Sequence, residues 1–460
     1  MKYILSQNID SNKVFLINYS ELERRLDPEQ YHQERIDAIE KIKSTECYMP
    51  LSSVVSFAKV VTKNIKQGDV YVGLENITSE YGEYIETEEK QSISGAAIFE
   101  KGDILFPKLR PYLNKVFYAT FDGICSTEFY VLKSHLVDAE YLSIFLRSSL
   151  VVNQTKHLMT GNTLPRLQTD DVKELLIPIP SKDLQQSVIE CYNRACNKKI
   201  KKELQAEALL NSIDNYLLGE LGIQLPEMKS QTLQDRMFVL NFSEVRGDRL
   251  DAEYNNPFKH GAITKVFKMT QYPTALLSSL AKDIFQGVGK NETDDTTYIL
   301  LKVKNILRGN MIDFSDVEYV KSVPQNKLLL RNDIISPFIG EAIRQIKFSI
   351  FNKEEHKYTV DNNTGVIRLK ENVNAQYVCE YLCSCLGKMQ IERLIGGGGV
   401  PFIGTSGAKK LSVIIPPLQK QQEIVDQISS IRKRAKTLQE EGKAILEHAK
   451  KEVEQMILGN

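Results

Sequence analysis

Leu175-Leu176-Ile177-Pro178-Ile179-Pro180, followed by Gln185-Gln186-Ser187-Val188-Ile189, is written again in this chain as Leu411-Ser412-Val413-Ile414-Ile415-Pro416, followed by Gln421-Gln422-Glu423-Ile424-Val425. The offset is a constant 236 positions, 175 to 411, and it matches apolar, Pro and Gln-Gln positions alike. A repeat on this scale bears on the whole architecture and is read before any single element. The same offset pairs Ala139, Tyr141, Leu142 and Phe145 with Ala375, Tyr377, Val378 and Tyr381, and Pro165 with Pro401. Insertions reduce it to 230 where Asp103-Ile104-Leu105 and Pro107 meet Asp333-Ile334-Ile335 and Pro337, and to 223 where residues 15–21 meet 238–244. One duplication fills the chain, so its function needs two similar modules.

The 460 residues, 42% hydrophobic and 26% charged, are ordinary globular material, enough for two to four domains with their own cores. The first ten residues hold no apolar run of signal-peptide length, and no stretch approaches a membrane span. The expected location is the cytoplasm, with no membrane partner. Seven cysteines, mostly in apolar surroundings, fit reduced thiols better than a disulfide framework. Basic and acidic side chains balance at 59 each, which argues against a non-specific nucleic-acid coat but leaves room for local patches. Two are present: 107–117 carries Lys108, Arg110 and Lys115 without an acid, and 299–310 carries Lys302, Lys304 and Arg308.

Each repeat has the same grammar. A mixed segment of short β-like runs (70–74, 104–106, 115–119 and 129–132 in the first copy) ends in a helical stretch near 141–150. After the Ile-Pro-Ile-Pro punctuation comes a long helical pattern. The first long helix is expected over 183–218, with Ser181 as its cap and Gly219 as its stop, and the second over 418–458, stopped by Gly459. In the second, Ile424, Ile428, Ile431, Ala435, Leu438, Gly442, Ile445, Ala449 and Met456 alternate steps of four and three, with Glu452 as the polar exception, which is a coiled-coil seam. The first copy's seam is Val188, Tyr192, Ala195, Lys199, Lys202, Ala206, Leu209, Ile213 and Tyr216, weakened by two lysines. Ala206 aligns with Gly442, so both helices are expected to be small at the same level. Pairing is expected to run through Ala206, Leu209, Ile213, Leu438, Gly442 and Ile445; two amphipathic helices, each on its own domain, is the alternative. A helix of about 36 residues is about 54 Å long. Two modules spaced by such helices suit an extended ligand with split sites, of which duplex DNA is the obvious one.

Lys101-Gly102-Asp103-Ile104-Leu105-Phe106, continuing through Lys108-Leu109-Arg110-Pro111-Tyr112-Leu113-Asn114-Lys115, with the Pro-Ile-Pro, Gln-Gln and long-helix unit in duplicate, resembles the specificity subunits of type I restriction-modification systems. The resemblance covers nearly the whole chain; its specificity comes from weak motifs found twice, in order. It implies an α/β (α+β) fold with two tandem target-recognition domains, separated by two long antiparallel helices in a pseudo-twofold arrangement. The corresponding division is a first recognition domain over 1–180, a spacer helix over 181–222, a linker over 223–235, a second recognition domain over 236–417 and a second spacer helix over 418–460. The implied partners are double-stranded DNA, two adenine-N6 methyltransferase subunits and motor-nuclease subunits serving phage defence. The second copy departs from the pattern. Phe338-Ile339-Gly340-Glu341-Ala342-Ile343-Arg344 stands where the first has its Lys-Leu-Arg-Pro-Tyr run, so Arg110 has no matched counterpart and Arg344 is only a neighbouring candidate.

No catalytic, cofactor-binding or metal site is expected. Asn255-Asn256-Pro257-Phe258 and Ser336-Pro337-Phe338 lack the second proline of an adenine-methylation clamp. Gly287-Val288-Gly289-Lys290-Asn291 lacks the upstream Gly and the hydroxyl of a phosphate loop. Gly396-Gly397-Gly398-Gly399 has no following lysine; its partner is Thr160-Gly161-Asn162-Thr163, and a loop beside the ligand or a plain turn fits both. Cys379, Cys383 and Cys385 sit in one expected helix with no histidine nearby, short of the four convergent ligands that zinc requires. The candidate DNA contacts are Lys108, Arg110, Asn114, Lys115 and Arg166 in the first copy and Lys302, Lys304, Arg308 and Arg344 in the second. Arg suits guanine, Asn adenine and Lys phosphate, against the plain reading of solvated surface charge. The reading is a non-catalytic DNA-recognition subunit. The alternative is a non-catalytic two-module protein scaffold of a defence complex.

Overall fold

The computed structural model describes residues 14, 16–17, 22, 27–58, 60–63, 69–86, 95–161, 163–225, 237–245, 249–289, 296–396 and 399–459. Most of the 15–21 repeat, Asn162, Lys290-Asn291, Gly397-Gly398 and the linker beyond Leu225 lie outside these residues. Two compact units are formed: one by the residues up to Lys202 with those from Glu440 onward, the other by Glu203–Gln439.

In the first unit a four-stranded antiparallel sheet runs in the order Val55–Ala58, Phe129–Ser134, Ile104–Pro107 (β1) and Phe117–Tyr118. All four residues of β1 are buried, which is why it reads as an unbroken apolar run instead of alternating. Successive side chains leave on opposite faces: Ile104 and Phe106 enter the main core, while Leu105 enters a second core under Val72, Phe99, Phe117 and Cys125. The second unit repeats the arrangement with Ala281–Gln286, Thr364–Leu369, Ile334–Pro337 (β2) and Ser349–Ile350. Asp103 and Asp333 start the two strands alike, their carboxylates accepting from the N–H of Glu100 at 2.9 Å and of Leu330 at 2.8 Å.

The Ile-Pro-Ile-Pro segments form short strands, Leu176–Pro178 against Tyr48–Pro50 and Ser412–Ile414 against Thr274–Leu276. Three side chains lock each. The buried Tyr141 hydroxyl donates to the Pro178 carbonyl and that of Tyr377 to Ile414, at 3.1 and 2.7 Å. Gln154 exchanges two hydrogen bonds with Leu176, and Gln390 two with Ser412. Gln185 and Gln421 fold back on the carbonyls of Pro180 and Pro416, which accounts for the first Gln of each Gln-Gln pair. The helical stretch expected over 141–150 is two helices, Ala139–Leu146 and Ser149–Thr155. The cysteine-bearing helix divides in the same place: Ala375–Cys383 ends at Ser384, whose hydroxyl accepts from the Leu386 N–H at the start of Cys385–Leu394. Cys385 therefore belongs to a different helix from Cys379 and Cys383.

The long helices are α1 (Lys182–Glu220) and α2 (Leu418–Leu458). The second matches its expected bounds. The first runs past Gly219 and stops at Gly222, which takes φ +68° while its N–H donates to the Gly219 carbonyl and the N–H of Ile223 to Leu218. That is the paired-bond C-terminus to which glycine is suited. Within each unit the helices run antiparallel. In the first unit Val188, Tyr192 and Ala195 share a core with Leu446, Ala449, Val453 and Ile457; in the second, Leu217 and Leu218 share one with Ile424 and Ile428.

Three seam expectations are corrected. Beyond Gly442 the buried positions are Leu446, Ala449, Val453 and Ile457, so Ile445 and Met456 are flanking and Glu452 is simply exposed. Ala206 and Gly442 do not face one another: Ala206 packs on Ala435 and Leu438, with Leu209 beside it, while a Cβ on Gly442 would meet Lys202 Cβ at 3.5 Å and Lys199 Cγ at 3.6 Å. In an antiparallel pair, equivalent positions of a repeat fall at mirrored levels instead of a common one. Nor do the lysines weaken the seam. Lys202 pairs with Glu441 at 2.5 Å, and buried Lys199 pairs with Glu83 at 3.5 Å and lies over the Tyr81 ring. Ile213 is half-buried against the core holding Leu217 and Ile424.

Candidate nucleic-acid interface

Four backbone hydrogen bonds set the segment following β1 against the loop that Thr160 and Arg166 close: two join segment and loop, and two close the loop. Arg110 N–H donates to Pro165 at 2.9 Å and Leu167 N–H to Lys108 at 2.9 Å, while Thr160 and Arg166 exchange bonds of 2.9 and 3.0 Å. The second unit has the same four. Gly340 N–H donates to Pro401 at 2.8 Å and Ile403 N–H to Phe338 at 3.0 Å, while Gly396 and Phe402 exchange bonds of 2.8 and 3.0 Å. Both segments turn through left-handed backbone, φ +48° at Arg110 and +97° at Gly340, then +50° at Asn114 and +51° at Ile346. This frame equates Lys108 with Phe338, Arg110 with Gly340, Asn114 with Ile346 and Arg166 with Phe402. The backbone edge is constant and its side chains are not.

The structure brings Lys108, Arg110 and Arg166 onto one edge, and each has a distinct state. Arg110 is exposed. Arg166 forms a two-pronged pair with Glu128, at 3.0 and 2.9 Å, which holds the Glu128 carboxyl below its usual range. Lys108 donates to the Thr127 carbonyl at 2.6 Å over the Tyr130 ring, and burial pulls its ammonium pKa down. The other two members of the run serve the fold. Asn114 is buried, its amide donates to the Arg147 carbonyl at 2.8 Å, and its own carbonyl accepts from Glu80. Lys115 donates to the Leu74 carbonyl at 2.7 Å. For Asn114 this is a correction, since a buried amide held on a backbone carbonyl is not presented to a base, whereas half-buried Lys115 has one of its three ammonium donors engaged.

In the second unit Lys302 is bound to Glu318 at 2.6 Å and Lys304 to Asp316 at 2.7 Å. Both flank the Asn305 corner, where the Asn305 side chain accepts from the Lys302 N–H, as Asn76 accepts from Gly73 in the first unit. Arg308 and Arg344 are exposed, the first donating to the Gln345 carbonyl at 3.2 Å and the second paired with Glu341 at 3.1 Å. None of the four stands at a position equivalent to Lys108, Arg110 or Arg166. Sequence reasoning missed Glu128, Phe402 and the Gln154 and Gln390 locks, although the offset of 236 that aligns Pro165 with Pro401 also aligns Arg166 with Phe402 and Gln154 with Gln390.

Elsewhere in the first unit His32, Glu34 and His157 cluster, with Lys156 2.5 Å from the Glu34 carboxylate. The imidazoles stack at 3.9 Å with an interplanar angle of 12°, so their in-plane lone pairs do not converge on one point. The Lys156 ammonium and His157 hold the Glu34 carboxyl down at about 2. The cluster ties the start of the helix Gln33–Lys43 to the end of Ser149–Thr155 and has no ligand geometry. No described helix is long and apolar enough to cross a membrane.

A duplicated α/β unit, each copy presenting one loop edge and sharing in a pair of antiparallel helices, defines a two-module recognition protein. The profile of the type I restriction modification DNA specificity domain matches residues 56–208 and 287–448, and the chain belongs to that family. It is 29% identical over 134 residues to the type I restriction enzyme EcoDI specificity subunit of Escherichia coli, covering 27% of this chain and 30% of that protein. It is 23% identical over 360 residues to the MjaIX specificity subunit of Methanocaldococcus jannaschii, covering 75% and 74%. The chain thus spans under a third of the first relative and about three quarters of the second. A solved chain from a study of type I restriction-modification complex assembly and conformational transition shares the fold at a TM-score of 0.50 and 18% identity, over 89% of this chain and 96% of that one.

Proposed function

We propose that this chain is the DNA-reading specificity subunit of a type I restriction-modification complex. It binds a split duplex target and directs partner adenine-N6 methyltransferase and motor-nuclease subunits to it, and carries no chemistry of its own. The recognition domains are 1–180 and 236–417, the spacer helices 181–222 and 418–460, with 223–235 as the linker. The observation that supports this most strongly is the repeated frame: four identical backbone bonds present one edge in each unit, with different side chains on the two. A conserved holder with exchanged contacts is what reading two unlike half-sites requires. On the first edge Arg110 and Arg166 are the base-reading candidates, and Lys108 is the phosphate candidate. Arg308, Arg344 and Lys304 contribute phosphate contacts in the second unit.

The test combines two measurements. Affinity of the full chain for duplex DNA carrying its target should fall linearly with salt on logarithmic axes, with a slope of about 0.9 per phosphate contact. Sequencing methylated adenines in cells with and without the chain should reveal a bipartite motif that vanishes with it. A chain that assembles with partner subunits but shows neither salt-dependent DNA binding nor a motif is a protein scaffold instead. Methyl transfer from S-adenosylmethionine by the purified chain alone would refute the non-catalytic assignment.

A further inference from the structure

The two edges share a backbone but differ in chemistry at all three paired positions. The first carries Lys108, Arg110 and the Arg166–Glu128 pair. On the second, Phe338 is fully buried, its ring filling the space beside Gly365, where a Cβ would lie 2.1 Å from it. Gly340 offers no side chain, and at φ +97° no other residue is comfortable there. That leaves Phe402, 49% exposed, with Val400 beside it at 59%. The Phe402 backbone is bonded on both its N–H and its carbonyl to Gly396, so the ring is presented from a fixed point. Arg249, beside Gly396, donates to the carbonyls of Leu394 and Ile395, while Arg344 is paired with Glu341 and Arg308 donates to the Gln345 carbonyl.

A ring at such an edge neither donates nor accepts a conventional hydrogen bond. In the major groove only thymine presents an apolar group, its 5-methyl, and phenylalanine is among the side chains suited to it. Resting on the DNA-recognition reading above, we infer that Phe402 is a specificity-determining residue that contacts a thymine methyl in the half-site of the second unit. The equivalent position of the first unit, Arg166, faces a hydrogen-bonding base edge. The two half-sites are thus told apart by opposite chemistries at one shared position of the frame.

The test uses the full chain and a duplex carrying the mapped target, with each thymine replaced singly by 2′-deoxyuridine, which removes the methyl and nothing else. One replacement should weaken binding about fourfold, the worth of one buried methyl group. In Phe402→Ala the same replacement should have no further effect, while Phe402→Leu should retain part of it. Hydrogen exchange of the 396–402 loop in each variant checks that the frame is intact. Equal binding of every deoxyuridine duplex by the wild-type chain would overturn the inference, as would an unchanged deoxyuridine effect in Phe402→Ala. Failure of the wild-type chain to prefer its target over random duplex would instead overturn the recognition reading beneath it.

Discussion

Replacing Asn114 by alanine separates a base-reading role from a structural one. Asn114 is buried, sits at φ +50° and donates its amide to the Arg147 carbonyl at 2.8 Å. Alanine leaves that carbonyl without this partner, at roughly 1–3 kcal/mol. It also puts a residue with no local hydrogen bond of its own into left-handed backbone, at about 1 kcal/mol. The expected loss is about 2–4 kcal/mol. Asn114→Gly should recover the backbone part and leave the hydrogen-bond part. The assay is urea denaturation with hydrogen exchange of peptides covering 104–118, alongside mapping of the methylated motif. Alanine should lower protection across that segment while the motif keeps its sequence. A variant as stable as wild type whose motif loses discrimination at one base pair would refute the structural assignment and return Asn114 to the interface.

Four further outcomes are expected. Arg166→Ala should leave denaturant stability nearly unchanged, because its pair with Glu128 is solvent-screened, yet relax the motif at one position of one half-site, read by methylated-adenine sequencing. Gly365→Ala forces a methyl into the Phe338 ring and should cost roughly 1–3 kcal/mol in denaturant unfolding, with Phe338→Leu restoring part of it. Gln390→Leu strips two hydrogen bonds from Ser412 and should speed amide exchange across 412–414. For Glu34, whose pKa falls from 4.5 unfolded to about 2 folded, the stabilisation is full above pH 4.5 and is lost as pH falls towards 2. Glu34→Gln should flatten that limb of an acid-denaturation curve by lowering stability at neutral pH towards its low-pH value.

The duplication, the long helices and the strands were legible because each depends on patterns that repeat within the sequence: an unbroken apolar run at Ile104–Pro107, a heptad-like stripe ending at Gly459. The stop at Gly222 was not. Gly219 and Gly222 are both plausible breakers, and the choice is made by Ile223 joining Leu218 in the core. The register slip after Gly442 was hidden for a similar reason, since Glu452 and Val453 are neighbours and only the partner helix selects between them. Among the candidate contacts, Lys108, Arg110 and Arg166 lie on one edge, a placement that depends on the backbone bonds between 108–110 and 165–167 and is not visible in the basic run itself. Asn114 was misread because a sequence shows that a residue can donate, while only the fold shows that it is buried with a carbonyl 2.8 Å away already accepting from it; Lys115 and Lys302 are also engaged, on a carbonyl at 2.7 Å and a carboxylate at 2.6 Å.

The locked strand Leu176–Pro178 bears on how this chain avoids its own kind. A two-stranded ribbon has an outer edge open to any extended segment, and such edges seed self-association. Here Gln154 occupies both the N–H and the carbonyl of Leu176, the Tyr141 hydroxyl occupies the carbonyl of Pro178, and Pro178 has no N–H to offer. The edge is closed by side chains instead of a neighbouring strand. Chains crowded together during synthesis find no vacant backbone to pair with along it, and Gln390 and Tyr377 guard the matching strand in the second unit.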